Sequence, residues 1–392
     1  QLNKQAAAGI DGISIAKYKS KLPENIQRLT QQLRNKSFRA NDIKRVFIPK
    51  ANGKQRPLGL PTVDDKLVQQ GVSQILQNIW EQDFLPNSYG YRPNKSAHKA
   101  VHSLRLNLQF KGYGYIVEAD IKGFFDNMNH DWLMRMLEQR IDDKSLLGLI
   151  KQWLKARIKS PDGCFHKPES GTPQGGVISP VLANIYLHYA LDLWFEKTVK
   201  PRMKGRAMLI RYADDFVVAF QYGIDADNFY RVLPKRLNKF GLSVAPEKTH
   251  LKRFSRFHPG RKRSFQFLGF EFYWSLDANR KPIVRRYTAP KKLKAAMSEF
   301  YQWIKYNRSR PLKETMPILK RKLMGFENYF GLPDNSRSLS RLSHYVSRSL
   351  YKWLNRRSQR RSYNWSSFKD MLGYFKIEPL KVSKRSLPVD WY

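Results

Sequence analysis

Asp214 and Asp215 stand side by side between two strongly apolar runs, Met208-Leu209-Ile210 and Phe216-Val217-Val218-Ala219-Phe220, in the continuous stretch Met208–Phe220. Apolar runs rich in Ile, Val and Phe read as buried strands, so the Asp pair is predicted on the tight connection of a β-hairpin. Two carboxylates side by side repel each other. A divalent cation would offset the repulsion, since Mg²⁺ takes one or two carboxylates together with waters and substrate phosphates. An ordinary acidic turn is the plainer alternative, because Asp is a favoured turn residue. A second strand-like run, Tyr115-Ile116-Val117-Glu118-Ala119-Asp120-Ile121, also ends on Asp and is followed by Lys122-Gly123-Phe124-Phe125-Asp126. If the strands pair, Asp120 faces Asp214 and Asp215. Three such carboxylates could share two metal ions roughly 3.5–4 Å apart, an arrangement that stabilises the attacking and leaving oxygens of phosphoryl displacement. The chemistry expected is nucleotidyl transfer.

The elements that must hold these carboxylates follow from pattern. A helix is expected around 19–35, then a hairpin from Val46-Phe47-Ile48-Pro49-Lys50 to Gln55-Arg56-Pro57-Leu58-Gly59-Leu60, turning at Ala51-Asn52-Gly53-Lys54, where Asn-Gly favours a turn. Helical patterns follow at 64–82 and 95–109. Residues 113–250 alternate strands with helices, one starting at Ser179 as N-cap with Pro180 in the first helical position. From about 290 onward strands give way to basic helices carrying aromatic residues. With 392 residues, 41% of them hydrophobic, the chain can bury a large core in two or three subdomains.

Composition supports a polyanionic partner. Lys and Arg number 72 against 32 Asp and Glu, a formal charge of +40, and so basic a field concentrates nucleic acid. No run of 18 apolar residues is present, so no membrane span is expected. A single cysteine, Cys164, excludes an internal disulfide and a cysteine-based zinc site, which points to an intracellular, cytoplasmic protein. The opening residues Gln1–Gln5 have no apolar signal core and no initiator Met, so the chain is expected to begin inside a longer one.

Several blocks in order carry a resemblance: Gly9-Ile10-Asp11-Gly12, Ile48-Pro49-Lys50, Arg56–Thr62, Ser88-Tyr89-Gly90-Tyr91-Arg92-Pro93, Asp120 with Phe124-Phe125-Asp126, Gly171-Thr172-Pro173-Gln174-Gly175-Gly176, Tyr212-Ala213-Asp214-Asp215 and Phe267-Leu268-Gly269-Phe270. Over nearly its whole length the chain resembles the reverse transcriptase/maturase proteins of bacterial group II introns and their relatives. That resemblance implies an α+β right-hand polymerase, with fingers over 1–112 and a palm with an antiparallel sheet over 113–289. An α-helical thumb (domain X) over 290–375 and a tail over 376–392 would follow. It implies an RNA-directed DNA polymerase that takes an RNA template, a DNA or RNA primer and deoxynucleoside triphosphates. It implies two Mg²⁺ ions, with Mn²⁺ as a substitute, on Asp120, Asp214 and Asp215, and binding of structured intron RNA for splicing and retromobility.

The resemblance also assigns roles residue by residue. Lys50 and Arg56 would clamp the triphosphate, Arg bidentately. Phe125 resembles the steric gate that excludes a 2′-hydroxyl, with core packing as the alternative. Gln174 would support the nucleotide and templating pair, with Gly175 and Gly176 allowing close backbone approach. Lys248 would lie near the leaving pyrophosphate. Leu268, Gly269 and Phe270 resemble the primer grip, although Phe265, Phe267 and Phe270 alternate as core residues do. In the thumb, Arg341, Arg348, Lys352, Arg356, Arg357, Arg360 and Arg361 fall among Tyr345, Leu350, Trp353 and Leu354, a helix expected to present one apolar and one phosphate-tracking face. Trp365 and Phe368 are expected in the core of the next helix. No zinc-binding or His-rich nuclease segment follows the thumb, so mobility by self-made target nicking is not expected. Two other functions share these features: a domesticated, CRISPR-associated or antiphage reverse transcriptase without an intron, and a non-catalytic RNA-binding splicing cofactor.

Overall fold

Whether an apolar run becomes strand or helix is decided here by period and punctuation, and the computed structural model, which describes residues 6–49, 53 and 55–383, follows that rule closely. Helices α1 (Ile15–Ser20) and α2 (Leu22–Arg34) replace the single helix expected over 19–35, because Lys21 is non-helical and Pro23 starts the second helix afresh. Strands β1 (Ile43–Pro49) and β2 (Gln55–Leu60) form the expected antiparallel hairpin, with Ile48 opposite Arg56. Lys50, Ala51, Asn52 and Lys54 lie outside the described residues. Next come α3 (Val63–Trp80), whose first turn is capped by the Thr62 hydroxyl accepting the Asp65 N–H at 3.2 Å, and α4 (Ala97–Phe110).

The middle of the chain supplies β3 (Tyr115–Asp120), α5 (Phe124–Asn127), α6 (His130–Leu137), α7 (Lys144–Lys155), β4 (Ile158–Lys159), β5 (Phe165–His166), α8 (Ser179–Leu187), β6 (Ala207–Tyr212), β7 (Asp215–Phe220), α9 (Gly223–Asn238) and β8 (His250–Arg253). Ser179 is the first helical residue of α8 and not its cap: its hydroxyl bonds the Pro173 carbonyl at 3.0 Å and Thr172 Oγ1 at 2.8 Å instead. Beyond Leu187 the helix continues through two π-helical stretches, His188–Asp192 and Phe195–Val199. Such bulges often mark functional sites.

Two compact units emerge. The first comprises the chain up to Ala100 together with Tyr115–Leu251. One of its sheets is ordered β2-β1-β4-β5, with β1 and β4 parallel, and the other β6-β7-β3-β8. Behind the second sheet lie Val117, Leu182, Leu187, Val218, Phe220 and Leu233, each wholly buried and each contributing about 1.5–3 kcal/mol by leaving water.

The second unit comprises Val101–Gly114 and the chain from Lys252 on, so the compact units divide at Leu251, ahead of the composition change near 290. The reason is that β9 (Gly260–Phe267), β10 (Phe270–Leu276) and β11 (Pro282–Thr288) form a separate antiparallel sheet, ordered β11-β10-β9. It joins α10 (Pro290–Asn307), α11 (Leu312–Phe330), α12 (Ser336–Leu354) and α13 (Trp365–Tyr374): Asn335, just before α12, bonds the Thr288 backbone and hydroxyl, both at 2.8 Å. Leu339, Leu342, Val346, Leu350 and Trp353 make the buried stripe of α12, a helical spacing. No helix among the described residues is long and apolar enough to cross a membrane.

Candidate active site

Pairing of β3 with β7 sets Asp120 directly opposite Asp215, and pairing of β6 with β7 sets Tyr212 opposite Asp215, so Ala213 and Asp214 form a two-residue turn. Directly opposed residues of antiparallel strands share a face, and like charges so placed are destabilising. Asp214, on the turn, is largely shielded from water. Burial above all, with the charge of Asp120 adding to it, raises its carboxyl above the usual carboxylate range, while Arg56 and Lys248 pull it down. Lys248 arrives by a defined route. Ile121 bridges Val244, Ala245 N–H donates to the Asp120 carbonyl at 2.8 Å, and the short 3-10 turn Pro246–Lys248 then places the Lys248 ammonium in an ion pair with Asp120 Oδ2. That hydrogen bond raises the Lys248 pKa above the ordinary lysine value.

Asp120, Asp214 and Asp215 are thereby gathered at one sheet end with repulsion offset in part by cationic side chains. The donors are hard oxygens, as a divalent cation of the Mg²⁺ type requires. Among the described residues no group of three or more His, Cys, Asp or Glu is disposed to hold a metal ion as it stands, and Asp120 is engaged with Lys248. Carboxylates near one another on an open edge suit a metal that completes its shell with water and substrate phosphate.

The turn is anchored by a residue that sequence inspection passed over. Arg211 is wholly buried inside β6, and all five of its guanidinium N–H donors are taken. Nε and Nη2 grip the two oxygens of Asp192 at 2.8 and 2.6 Å, Nη1 bonds Asn184 Oδ1 at 3.1 Å and the Ala213 carbonyl at 3.0 Å, and Nη2 also bonds Ser88 Oγ at 2.7 Å. Asp192, itself wholly buried, ends the first π-helical stretch. The backbone joins in, since Arg211 N–H donates to the Asn87 carbonyl at 3.0 Å and Tyr89 N–H to the Arg211 carbonyl at 2.8 Å. Ala213 is left-handed, at φ 56°, a cost of about 1 kcal/mol or more that persists only where the surroundings impose it. A Cβ at Gly90 would lie 2.4 Å from the Ala213 nitrogen, so the loop 88–91 packs backbone to backbone against the turn. Tyr91 follows at once, half exposed, its hydroxyl pKa raised by burial first and by the charge of Asp214 next.

On the facing side, Arg56 Nε donates to Gln174 Oε1 at 2.8 Å, and Gly59 N–H donates to the Gln174 carbonyl at 2.6 Å. Gly175, at φ 109°, approaches β2 so closely that a Cβ there would lie 2.7 Å from the Gly59 carbonyl oxygen. The glycine at 175 therefore serves contact with protein backbone. Phe125 is 8% exposed, meets Phe124 edge-on at 5.4 Å, and lines a cavity of about 120 Å³ with Arg45, Asp126, Ser170, Thr172 and Gln174. Thr172 N–H donates to the Phe125 carbonyl at 2.7 Å and so ties the Gln174 loop to the helix bearing Phe125.

In the second unit, Leu268 and Gly269 form a turn between Phe267 and Phe270 with φ 50° and 79°, the left-handed pair that a tight hairpin needs. Tyr329 hydroxyl donates to the Leu268 carbonyl at 2.9 Å, Ala289 N–H to the Gly269 carbonyl at 2.9 Å, and wholly buried Phe270 packs on Tyr329 and Phe330. The basic run expected as one helix over 341–361 ends as helix at Leu354. Asn355 closes the following loop by bonding both the N–H and the carbonyl of Tyr363, at 2.7 and 3.0 Å. Arg348 lies on α12 and Arg360 on the loop. Lys352 and Arg356 flank the Trp353 ring at 5.5 and 5.9 Å, Arg357 donates to the Arg310 carbonyl at 3.2 Å, and Arg361 bonds the Tyr351 hydroxyl. Phe368 is buried as expected, whereas Trp365 is 47% exposed and stacks on Tyr351 at 4.0 Å.

Comparison with known proteins adds a family profile described as reverse transcriptase (RNA-dependent DNA polymerase), matched by residues 48–272, and one described as the group II intron maturase-specific domain, matched by 291–370. Protein YkfC of Escherichia coli is 34% identical over 238 residues, covering 54% of this chain and 62% of that one. The group II intron-encoded protein LtrA of Lactococcus lactis is 27% identical over 438 aligned positions, covering 90% of this chain and 71% of its own length. This chain therefore spans 62% of the first relative and 71% of the second. A telomerase structure from Candida albicans superimposes at a TM-score of 0.48, with 14% identity over 93% of this chain and 66% of that chain.

Proposed function

We propose that this chain, which belongs to the reverse transcriptase (RNA-dependent DNA polymerase) family and also carries the maturase-specific domain of group II intron proteins, extends a primer on an RNA template at the Asp120–Asp214–Asp215 site and binds intron RNA through its second unit. The observation that carries the catalytic part is the register that sets Asp120 opposite Asp215, with Asp214 on the adjoining turn. Two divalent cations, Mg²⁺ or Mn²⁺ in its place, would be held by these carboxylates and would supply charge neutralisation at the attacking and leaving oxygens.

The remaining chemistry belongs to the chain's own side chains. Arg56 and Lys248 are cations whose charge bears on Asp214, and each can bond a triphosphate oxygen. Lys248 bonds Asp120 through one of its three ammonium N–H groups and keeps the others for such an oxygen. Gln174, held by Arg56 and by the Gly59 backbone, offers an amide to the nascent base pair. Phe125, on the wall of the adjoining cavity, would take the face of the sugar and crowd a 2′-hydroxyl. Lys50, a second triphosphate ligand by resemblance, lies outside the described residues. Leu268, Gly269 and Phe270 would steady the primer strand, and the LtrA likeness over 90% of the chain supports an intron RNA partner for the basic helices.

Asp120→Asn and Asp214→Asn test the site. Each should abolish Mg²⁺-dependent cDNA synthesis on a primed RNA template while RNA binding stays near the wild-type value, because a metal ligand is lost and no phosphate contact is. Undiminished cDNA yield from either variant would overturn the assignment.

A further inference from the structure

The connection between β8 and β9 belongs to neither the carboxylate site nor the basic end of α12. Residues 252–263 hold six Lys or Arg, one His and no acidic side chain. At its tip Phe257 is 75% exposed, among the most open of the large apolar side chains, and Arg253, Arg256, His258 and Lys262 are exposed around it. The tip is built and not frayed. Phe254 is buried, its ring edge-on to Phe265 at 5.0 Å, and its N–H donates to the Gly114 carbonyl at 2.7 Å. Ser255, also buried, accepts the Phe257 N–H on its hydroxyl at 3.3 Å and the His258 N–H on its carbonyl at 3.2 Å. This turn holds the Phe257 ring outward, with the Arg256 guanidinium 5.0 Å from its centroid.

An outward ring with three-quarters of its surface in water, inside a patch of uniform positive charge, matches the two requirements for single strands: a stacking platform and a cationic track for the backbone. A duplex hides its base faces and has no use for the ring. We propose that the Phe254–Gly260 tip is a docking surface for single-stranded nucleic acid, with one base stacked on Phe257 and flanking phosphates met by Arg256 and Lys262. Binding here needs neither metal nor nucleotide and so does not depend on the proposed polymerase reaction.

Equilibrium binding of the full chain to fluorescein-labelled single-stranded oligouridine, and to a blunt RNA hairpin whose strands are joined by a polyethylene glycol linker in place of loop nucleotides, tests the idea in metal-free buffer over a range of salt. Phe257→Ala should weaken single-strand binding about 5- to 150-fold, as one lost base stack implies. It should leave hairpin binding and the salt slope unchanged, and Phe257→Trp should restore the affinity. Arg256→Gln with Lys262→Gln should instead flatten the slope of log affinity against log salt by about 0.7 for each phosphate lost. Because Phe257 is exposed, all variants should unfold at the wild-type urea midpoint, so a binding loss is not a folding loss. Wild-type single-strand affinity in Phe257→Ala, or an equal loss for hairpin and single strand, would overturn the proposal. Failure of the aspartate variants to stop cDNA synthesis would refute the catalytic site and leave this surface untouched.

Discussion

Removing the carboxylate that faces Arg211 should cost more stability than almost any other single change in the first unit. Asp192→Ala leaves a guanidinium with no exposed surface to face Asn184, Ser88 and the Ala213 carbonyl alone. Breaking a buried pair on one side costs about 3–5 kcal/mol, because the remaining charge stays desolvated. A domain is stable by only about 5–15 kcal/mol, so the variant should lose about a fifth of its margin or more. Arg211→Met combined with Asp192→Leu should recover much of that loss, since apolar groups of similar size replace a desolvated ion pair at little cost. Catalysis should not recover in step: the double variant lacks the donor to the Ala213 carbonyl, so Asp214 sits on a turn held only by backbone. The assay is urea unfolding followed by tryptophan fluorescence, paired with primer extension at saturating template. A loss below about 1 kcal/mol in Asp192→Ala, or a double variant no more stable than the single one, would refute the account of the clamp.

Two further outcomes follow from the same site. Folding raises the Asp214 pKa, so the folded chain holds that proton more tightly than the unfolded one, and stability falls as pH rises from the ordinary carboxylate range through the raised value. Asp214→Asn should therefore be more stable than wild type in metal-free buffer at neutral pH and equal to it in acid, and a variant less stable at neutral pH would contradict the burial argument. Phe125→Ala should raise incorporation of ribonucleotides relative to deoxyribonucleotides, measured by competitive primer extension; unchanged sugar selectivity would leave Phe125 as core packing alone.

The Asp214–Asp215 hairpin is legible because its strands are apolar on both faces while its turn is acidic, a contrast that survives without any tertiary knowledge. Asp120 was legible for the same reason, at the end of Tyr115–Ala119. Arg211 is not singled out in the sequence, although its signal is present: a lone cation directly after the apolar run Met208–Ile210 has to find a partner if that strand is buried. Its partner lies 19 residues earlier, in a helix whose π-helical turns no periodicity announces. The division at Leu251 escaped notice because composition changes at 290, whereas the sheet of β9 to β11 answers to hydrogen bonds with residues far downstream, such as Asn335 with Thr288. The end of α12 at Leu354 was hidden likewise, since the basic run continues unbroken and only the closure from Asn355 to Tyr363 turns the chain.

The stitch between β2 and the Gln174 loop has a mechanical side. Gly59 N–H on the Gln174 carbonyl, Arg56 on its side chain and the backbone packing of Gly175 against Gly59 fasten the base of the β1–β2 hairpin to the segment that precedes α8. Hairpin and loop thus behave as one lever. A pull along β1 and β2 would be felt at Gln174, and through Thr172 at Phe125, without any part having to unfold. A side chain at position 59 or 175 would pry that lever apart at its fulcrum, leaving both halves folded but no longer moving together.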